Sequence, residues 1–313
     1  MKRMLATDLD GTLLAPDASV SDRTLDAIGR AREAGLIVAF VTGRPPRWLA
    51  PVVDQLGWHG LAVAANGAVL VDLDKRLVEQ TFPMDQQTLR EAVARIRSLI
   101  PQASFGVERA ERGAPIPFGP IEPGSIPAEA GLEEAEESGQ DQDSATRAYR
   151  LAARTSFGYE PEFGARRARP SGGTVGAIED LIQRGGAVKL LARGPVGSDP
   201  DAVLTEVQHA LAGTVTVTHS TRAELLLEMC HRGVNKATGL AWLAATHGVD
   251  RANVIAVGDM PNDLPMLQWA GRGYAVGNAH PAVTASTPSA RILPTNSQNA
   301  VAHLIDELLG HDL

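Results

Sequence analysis

The feature that most constrains the fold is the stretch LATDLDGTLL, from Leu5 to Leu14. A short apolar run ends at Thr7, and two carboxylates, Asp8 and Asp10, follow with one residue between them. This pattern predicts a buried strand that ends in a tight turn. In a parallel α/β sheet, such a turn lies at the carboxyl edge of the strands, where these folds bind their ligands.

Two carboxylates at this spacing repel each other unless a cation or a shared proton lies between them. A hard divalent cation such as Mg²⁺, which prefers oxygen ligands and keeps some of its water, is the usual solution. The same Asp-x-Asp-Gly sequence also forms ordinary Asx turns at strand ends. The first loop alone therefore leaves a metal site and a plain turn as alternatives.

Three further apolar segments end in polar residues in the same way. Residues 36–41 lead to Thr42, Gly43 and Arg44, residues 61–65 lead to Asn66, and residues 253–257 lead to Asp259, Asn262 and Asp263. Near-continuous apolar runs that alternate with helical patterns indicate a parallel sheet covered on both faces. Parallel neighbours would bring all of these polar groups to one edge of the sheet.

A lysine near the start of a predicted helix belongs with this set. Asn235 is a candidate N-cap, which places Lys236 in the first turn. The helix dipole disfavours a positive charge there, so Lys236 is interpreted as the partner of an anion or of the aspartates. A plain surface lysine is the alternative.

The middle of the chain indicates a second, smaller α/β domain with an antiparallel sheet. The predicted division is a discontinuous core domain, residues 1–83 and 232–313, with residues 84–231 inserted between its halves. Residues 106–175 are rich in Gly, Pro, Glu, Arg and Ser and hold few large apolar residues, so we expect a flexible insertion around residues 114–155. A lid over an active site is the alternative. Helices are predicted over residues 174–184 and from Ser297 onward.

Length and composition narrow the possible partners. The 313 residues suffice for two domains, and the formal charge of -8 argues against a nucleic-acid partner. Cys230 is the only cysteine, so an intrachain disulfide is excluded and a reducing compartment is expected. No signal-peptide pattern and no apolar stretch of about 20 residues is present, so we expect a cytoplasmic protein without a membrane partner.

Taken together, the motifs resemble those of the haloacid dehalogenase-like (HAD) hydrolases, specifically the Cof-type, subclass IIB phosphatases. The resemblance rests on DLDGTLL at 8–14, VTGR at 41–44, NGA at 66–68, GVNKATGL at 233–240, GDMPNDLPM at 258–266 and GNA at 277–279. It implies an α/β fold with a parallel-sheet, Rossmann-like core and an inserted α/β cap domain. Two segments, 105–113 and 157–163, look like parts of one cap segment that the insertion splits.

The resemblance also implies roles for individual residues. Asp8 would be the nucleophile that forms an aspartyl-phosphate, and Asp10 would be the general acid and then the general base. Mg²⁺ would be held by Asp8, Asp10 through its backbone carbonyl, and Asp259, with Asp263 as a supporting group. The predicted phosphate and substrate contacts are Thr42, Gly43, Arg44, Asn66, Lys236 and Asn262.

The chain departs from the family pattern at Met260, where a Ser or Thr is usual, at Ala237, where a Gly is usual, and at Asn299-Ala300, where Asp-Gly is usual. None of these positions is a predicted metal ligand or nucleophile. The implied activity is a Mg²⁺-dependent phosphatase, a phosphoric monoester hydrolase, acting on a small phosphorylated metabolite such as a sugar phosphate or a phosphorylated cofactor. A phosphotransferase or phosphomutase with the same aspartyl-phosphate chemistry, and a non-catalytic phospho-ligand-binding protein, are the alternatives. The sequence does not indicate the oligomeric state.

Overall fold

The computed structural model describes residues 2–57, 59–116, 156–165, 173–221 and 224–310. The chain forms two compact units. The first unit comprises Met1–Arg44, Gln55–Lys75 and Gly233–Leu313, and the second comprises Pro45–Asp54 and Arg76–Arg232. The domain boundaries expected from the sequence, at residues 83 and 231, stay predictions.

The regular elements of the described residues are named here in chain order. The strands are β1 (Arg3–Thr7), β2 (Leu36–Val41), β3 (Leu61–Ala64), β4 (Val69–Asp72), β5 (Leu77–Thr81), β6 (Ser104–Arg109), β7 (Phe157–Tyr159), β8 (Thr174–Val175), β9 (Ala187–Arg193), β10 (Val215–Thr218), β11 (Leu226–His231), β12 (Val254–Gly258) and β13 (Arg272–Ala275). The α-helices are α1 (Asp22–Glu33), α2 (Ala50–Leu56), α3 (Gln86–Leu99), α4 (Pro161–Ala165), α5 (Ile178–Gln183), α6 (Pro200–Ala210), α7 (Lys236–Thr246), α8 (Leu264–Trp269), α9 (Pro281–Ser286) and α10 (Ala300–Gly310).

The first unit is built on a sheet whose strands run in the order β13-β12-β1-β2-β3-β4. From β13 to β3 all neighbours are parallel, and β4 is antiparallel to β3. In the centre, Leu5 lies opposite Ile255 on one side and Val38 on the other, and all three side chains are buried. The predicted parallel sheet is confirmed, and the carboxyl ends of β1, β2, β3 and β12 meet at one edge.

Helix α7 begins where the sequence predicts it to begin. The side chain of Asn235 accepts hydrogen bonds from the backbone N–H groups of Ala237 and Thr238, which satisfies donors that the first turn leaves unpaired. The helix lies close to the turn after β3, because Gly239 and Gly67 have no side chains to separate the two backbones. Helix α7 therefore places Lys236 near the carboxyl edge of the sheet.

The second unit contains a sheet in the order β10-β11-β9-β6-β7-β8. Its neighbours are antiparallel except β7 and β8. One hydrophobic core joins the sheet to helices α3, α5 and α6 and includes Leu89, Phe105, Ile178, Leu190 and Val207. Strands β6 and β7 pair with Glu108 opposite Phe157, which confirms that the segments before and after the insertion belong together.

Three local predictions need comment. The helix predicted over 174–184 is wrong at its start, because Thr174 and Val175 pair with β7 and the helix begins at Ile178. The last helix begins at Ala300 and not near Ser297, since Asn299 adopts a left-handed conformation with φ 59°. The predicted flexible insertion at 114–155 lies outside the described residues, apart from 114–116. In the part of the chain that the structure describes, no helix has the length and apolar character needed to cross a membrane.

We expect Gly67→Ala to destabilise the protein and Gly29→Ala, its matched control, to stabilise it. Gly67 has φ +102°, and a Cβ there would overlap the carbonyl oxygen of Asn235, so the substitution should lower the free energy of unfolding by about 1–3 kcal/mol. Gly29 lies inside α1 with open space around its Cα, so alanine should raise it by about 0.5–1 kcal/mol. Urea unfolding followed by circular dichroism measures both. Equal effects would contradict the close approach of α7.

Candidate active site

Asp8 follows β1 directly and its side chain is nearly fully buried, with 4% of the residue exposed. Its backbone N–H donates to the carbonyl of Val257, which continues the pairing of β1 with β12. Its carboxylate oxygen Oδ1 accepts a hydrogen bond from Nζ of Lys236 at 2.6 Å. The other oxygen, Oδ2, has no hydrogen-bond donor among the described residues. Asp8 is therefore held at one oxygen and open at the other.

Lys236 is a buried cation and not a surface lysine. Only 1% of the residue is exposed, and Nζ donates to both Asp8 and Asp263. Burial on its own lowers the pKa of a lysine, but the two carboxylates outweigh it and hold the pKa of Lys236 above its ordinary value. The ammonium group therefore stays charged at physiological pH.

Asp259 enters the same site from the end of β12. Its Oδ1 accepts a hydrogen bond from the hydroxyl of Thr12 at 3.1 Å. Gly11, with φ 79°, allows the loop after β1 to approach this carboxylate, because a Cβ at that position would overlap it. The loops after β1 and β12 are therefore in direct contact.

Asp263 is fully buried, and each of its carboxylate oxygens accepts at least one hydrogen bond. Oδ1 accepts from Lys236, and Oδ2 accepts from the backbone N–H groups of Asp259 and Met260 at 2.9 Å each. This arrangement ties Lys236 to the loop after β12. Asp263 therefore orients its neighbours, which fits the supporting role expected from the sequence.

Asp8, Asp259 and Asp263 form an acidic cluster in which one oxygen of each lies within 4.8 Å of the others. Lys236 offsets one of the three negative charges, so a net negative charge stays buried. Burial, together with the neighbouring carboxylates, raises the pKa of Asp8 well above its ordinary value, although Lys236 opposes the rise. For Asp259, burial and then Asp263 raise the pKa to about 7. Both shifts arise first from burial, and repulsion between the neighbouring carboxylates adds to it.

Asp10 points away from the acidic cluster. Its two carboxylate oxygens accept hydrogen bonds from Nε and Nη2 of Arg44 at 2.7 and 2.6 Å, in a bidentate ion pair. Its side chain is 55% exposed and that of Arg44 is 19% exposed. The structure therefore keeps the Asp10 carboxylate outside the group of Asp8, Asp259 and Asp263.

The remaining predicted contacts come from the loops after β2 and β3 and the turn before α8. Thr42 is fully buried, and its hydroxyl accepts from the backbone N–H of Arg44 at 3.0 Å. Its carbonyl accepts from the backbone N–H of Asn66, and the amide of Asn262 donates to the side chain of Asn66 at 3.1 Å. Thr42, Asn66 and Asn262 are thus joined by hydrogen bonds at the same sheet edge, and Gly43 follows Thr42 directly in the chain.

Sequence reasoning assigned no role to three residues that hold the loop after β1. Asn278 donates to the carbonyl of Gly11 at 2.8 Å and accepts from the backbone N–H of Asn296, whose side chain donates to the carbonyl of Leu14. Thr12, the third, donates to Asp259. The GNA motif at 277–279 was the available signal for Asn278. No sequence signal pointed to Asn296.

A sequence model of the haloacid dehalogenase-like hydrolase family matches residues 5–107 and 181–305. The chain therefore belongs to the haloacid dehalogenase-like hydrolases. All of the site residues described above lie within the matched ranges.

Individual relatives agree with this assignment. The chain is 27% identical over 309 residues to the 5-amino-6-(5-phospho-D-ribitylamino)uracil phosphatase YwtE of Bacillus subtilis, covering 98% of each chain. It is also 27% identical over 315 residues to the HMP-PP phosphatase of Serratia proteamaculans, covering 99% of this chain and 96% of that one. The solved structure of the HAD subclass IIB sugar phosphatase BT4131 has a TM-score of 0.67 at 15% identity, with 98% of this chain and 99% of that chain covered. The predicted Cof-type family, the α/β fold and the class of phosphoric monoester hydrolase are confirmed.

We expect Asp259→Asn to stabilise the protein when EDTA is present. The substitution removes one buried negative charge, and at pH 8 the free energy of unfolding should rise by up to about 4 kcal/mol, because the pKa of Asp259 is raised by about three units and each unit corresponds to about 1.4 kcal/mol. The wild-type carboxyl ionises at an ordinary pKa near 4 when unfolded and at about 7 when folded. In the wild type, the free-energy cost of ionising this buried carboxyl group therefore increases as the pH rises from 4 to 7. The stabilisation by Asp259→Asn should be small at pH 4.5 and complete at pH 8.

Urea unfolding at both pH values measures this gain, with Asp26→Asn as the matched control. Asp26 is an exposed residue of α1 whose side chain is 71% exposed. Destabilisation by Asp259→Asn at pH 8 in EDTA would contradict the excess of buried negative charge.

Proposed function

We propose that this protein is a Mg²⁺-dependent phosphatase that hydrolyses the phosphate monoester of a small metabolite through an aspartyl-phosphate on Asp8. The observation that carries the proposal is the buried carboxylate of Asp8, held at Oδ1 by Lys236 and open at Oδ2, within a cluster that has excess negative charge. The family and the phosphatase relatives support it.

The residues at the sheet edge fit a divalent cation. Carboxylate and carbonyl oxygens are the ligands that Mg²⁺ prefers, and the buried negative charge of the cluster would be balanced by one such ion. Asp8, Asp259 and the backbone carbonyl of Asp10 would hold it, and Asp263 would orient them. When bound, Mg²⁺ supplies positive charge that lets an anionic carboxylate and an anionic phosphate approach each other.

Asp8 is proposed to attack the phosphorus atom with one carboxylate oxygen, so that the P–O bond to the alcohol breaks as the bond to Asp8 forms. Lys236 would keep the carboxylate aimed at the substrate, since Nζ holds Oδ1 and is itself anchored by Asp263. Burial strips water from the carboxylate of Asp8, so its ionised form, once a bound cation stabilises it, would be poorly solvated and reactive.

Asp10 is proposed to donate a proton to the leaving alcohol and then to accept a proton from the water that attacks the aspartyl-phosphate. This role requires contact with solvent and with the leaving group, and the half-exposed Asp10 side chain has that access. Arg44 holds both carboxylate oxygens of Asp10 in the free protein. We propose that Arg44 orients Asp10 and also contacts the substrate.

The transferring phosphoryl group carries negative charge on its oxygens and needs donors around it. The hydroxyl of Thr42, the backbone N–H of Gly43, the ammonium of Lys236 and the amide of Asn262 are the proposed donors. Asn66 would position the Asn262 amide, since the two side chains are hydrogen-bonded.

We also propose that residues 84–231 act as the cap domain, around a core of residues 1–83 and 232–313, and that the protein works in the cytoplasm. The proposed substrate is a sugar phosphate or a phosphorylated cofactor. The two named relatives support a small phosphorylated metabolite, since one is a phosphatase of a phosphoribitylamino-uracil and the other of HMP-PP.

We expect Asp8→Asn to lower kcat by at least about 1,000-fold, because an amide cannot form the phosphoenzyme. Phosphate release from a panel of phosphorylated metabolites, with Mg²⁺ or with EDTA, measures this, and Asp26→Asn is the control. Release that survives Asp8→Asn would contradict the proposed nucleophile. Alcohol release without inorganic phosphate, in the presence of an acceptor alcohol, would instead favour a phosphotransferase.

Asp10→Asn should lower kcat by about 100- to 10,000-fold, the usual contribution of a general acid–base group. The loss should be smaller for a substrate whose leaving group is a weak base, such as p-nitrophenyl phosphate, because that leaving group needs little protonation. Steady-state kinetics on both kinds of substrate give the comparison. Equal losses on the two substrates would argue that Asp10 only supports the loop.

A further inference from the structure

Both loops that carry the proposed metal ligands are hydrogen-bonded to one short segment of the first unit, residues 276–280, which we call the bridging segment. On one side, the backbone N–H of His280 donates to the carbonyl of Asp259 at 2.7 Å. On the other side, the side-chain amide of Asn278 donates to the carbonyl of Gly11 at 2.8 Å. The bridging segment therefore joins the loop after β1 to the loop after β12.

Gly11 is the position in the loop after β1 where this contact matters. A Cβ at Gly11 would overlap the carboxylate of Asp259, so only glycine allows the two loops to lie this close. Glycine also has more backbone freedom than any other residue, so the chain does not fix its own conformation here. The hydrogen bond from Asn278 restrains the peptide group between Gly11 and Thr12.

The residues on either side of Gly11 both belong to the proposed metal site. Asp10 precedes it and is the proposed source of a backbone carbonyl ligand. Thr12 follows it, and its hydroxyl donates to the carboxylate of Asp259 at 3.1 Å. Because a change in the backbone angles of Gly11 would displace Asp10 relative to Thr12, the restraint by Asn278 acts on both groups.

Asn278 is itself held in one orientation. Its Oδ1 accepts a hydrogen bond from the backbone N–H of Asn296 at 2.8 Å, so its amide nitrogen faces Gly11. The two chain segments also pair through their backbones, since the N–H of Gly277 donates to the carbonyl of Pro294 at 3.0 Å. The donor of Asn278 is therefore in place before a cation binds.

The charge of the acidic cluster explains why such a restraint is useful. Asp8 comes from the loop after β1, Asp259 comes from the loop after β12, and their ionised carboxylates repel each other. A hydrogen bond that holds Gly11 opposes the separation of the two loops. Ligands that are already held in place bind more tightly, because less ordering has to accompany binding.

We propose that Asn278 is a positioning residue that raises the affinity of the site for a divalent cation by holding Gly11. The inference rests on the proposed function for the existence of the metal site, but cation binding can be measured without turnover. Asn296 holds a different point of the same loop, because its side chain donates to the carbonyl of Leu14 at 2.8 Å. That contact lies three residues beyond Gly11 and leaves the metal affinity unchanged.

The first test is calorimetric titration with Mg²⁺ of the wild type and of Asn278→Ala. We expect Kd to rise by about 3- to 10-fold in the variant, the range expected for losing one neutral hydrogen bond. Because Asn278 is an exposed residue, the variant should stay folded, which circular dichroism in EDTA checks.

Asn296→Ala is the matched control. It removes the contact with Leu14 but keeps the backbone N–H that orients Asn278. Its Kd for Mg²⁺ should stay near the wild-type value, although both substitutions shorten an asparagine that holds the same loop.

The second test follows phosphate release as a function of Mg²⁺ concentration. Asn278→Ala should need about 3- to 10-fold more Mg²⁺ for half-maximal activity, and excess Mg²⁺ should restore most of its kcat, since a bound cation then holds the loop. A merely structural role would lower kcat equally at every Mg²⁺ concentration.

The outcomes separate this inference from the proposed function. An unchanged Kd in Asn278→Ala, or an equal rise in Asn296→Ala, would overturn the inference and leave the proposed function standing. Mg²⁺ binding that depends on Asn278, in a protein that releases phosphate from no tested ester, would support the inference and count against the proposed function. A wild type that binds no Mg²⁺ would overturn both.

Discussion

The structure of the first unit depends on an unfavourable interaction, the crowding of three buried carboxylates around one lysine. Asp8, Asp259 and Asp263 come within 4.8 Å of one another, and Lys236 offsets only part of their charge. Removing water from carboxylates is costly, and like charges at this distance add to the cost. The folded chain tolerates this electrostatic repulsion because the parallel sheet and its tight loops fix the positions of the three carboxylates. A cation at the site would relieve this repulsion, so the arrangement that lowers stability is also the one that fits a divalent cation.

The parallel sheet explains how site residues that are far apart in the sequence come into contact. The ion pair of Asp8 and Lys236 joins residues 228 positions apart, and the hydrogen bond of Thr12 to Asp259 joins residues 247 positions apart. Strands β1 and β12 are direct neighbours, so the loops that follow them share one edge. Gly11, which has no Cβ, then allows the loop after β1 to lie against the carboxylate of Asp259. The second unit differs in that some of its buried charged groups are paired with each other, as Arg47 is with Glu108 and Lys189 is with Glu228.

Much of this arrangement could be predicted from sequence because it follows from strand ends. An apolar run that stops at an acidic residue indicates both a buried strand and the place where its carboxylate lies, as Asp8 and Asp259 show. Apart from the pairing of Lys236 with the aspartates, the partners of the site side chains could not be predicted in this way. The spacing of Asp8 and Asp10 suggests a shared cation, yet Asp10 turns outward to Arg44, a choice made by tertiary contacts. The role of Asn296 depends in the same way on segments that only the fold brings together, so no local pattern could reveal it.

The central claim is that Asp8 becomes covalently phosphorylated, and trapping that species tests it most directly. The protein would be mixed with Mg²⁺ and a substrate from the panel, quenched in acid within a turnover, digested and examined by mass spectrometry. The account predicts one added phosphoryl group on the peptide that carries Asp8, and none when Mg²⁺ is withheld or Asp8→Asn is used. Turnover with an unmodified Asp8 peptide, or with the phosphoryl group on another residue, would contradict it.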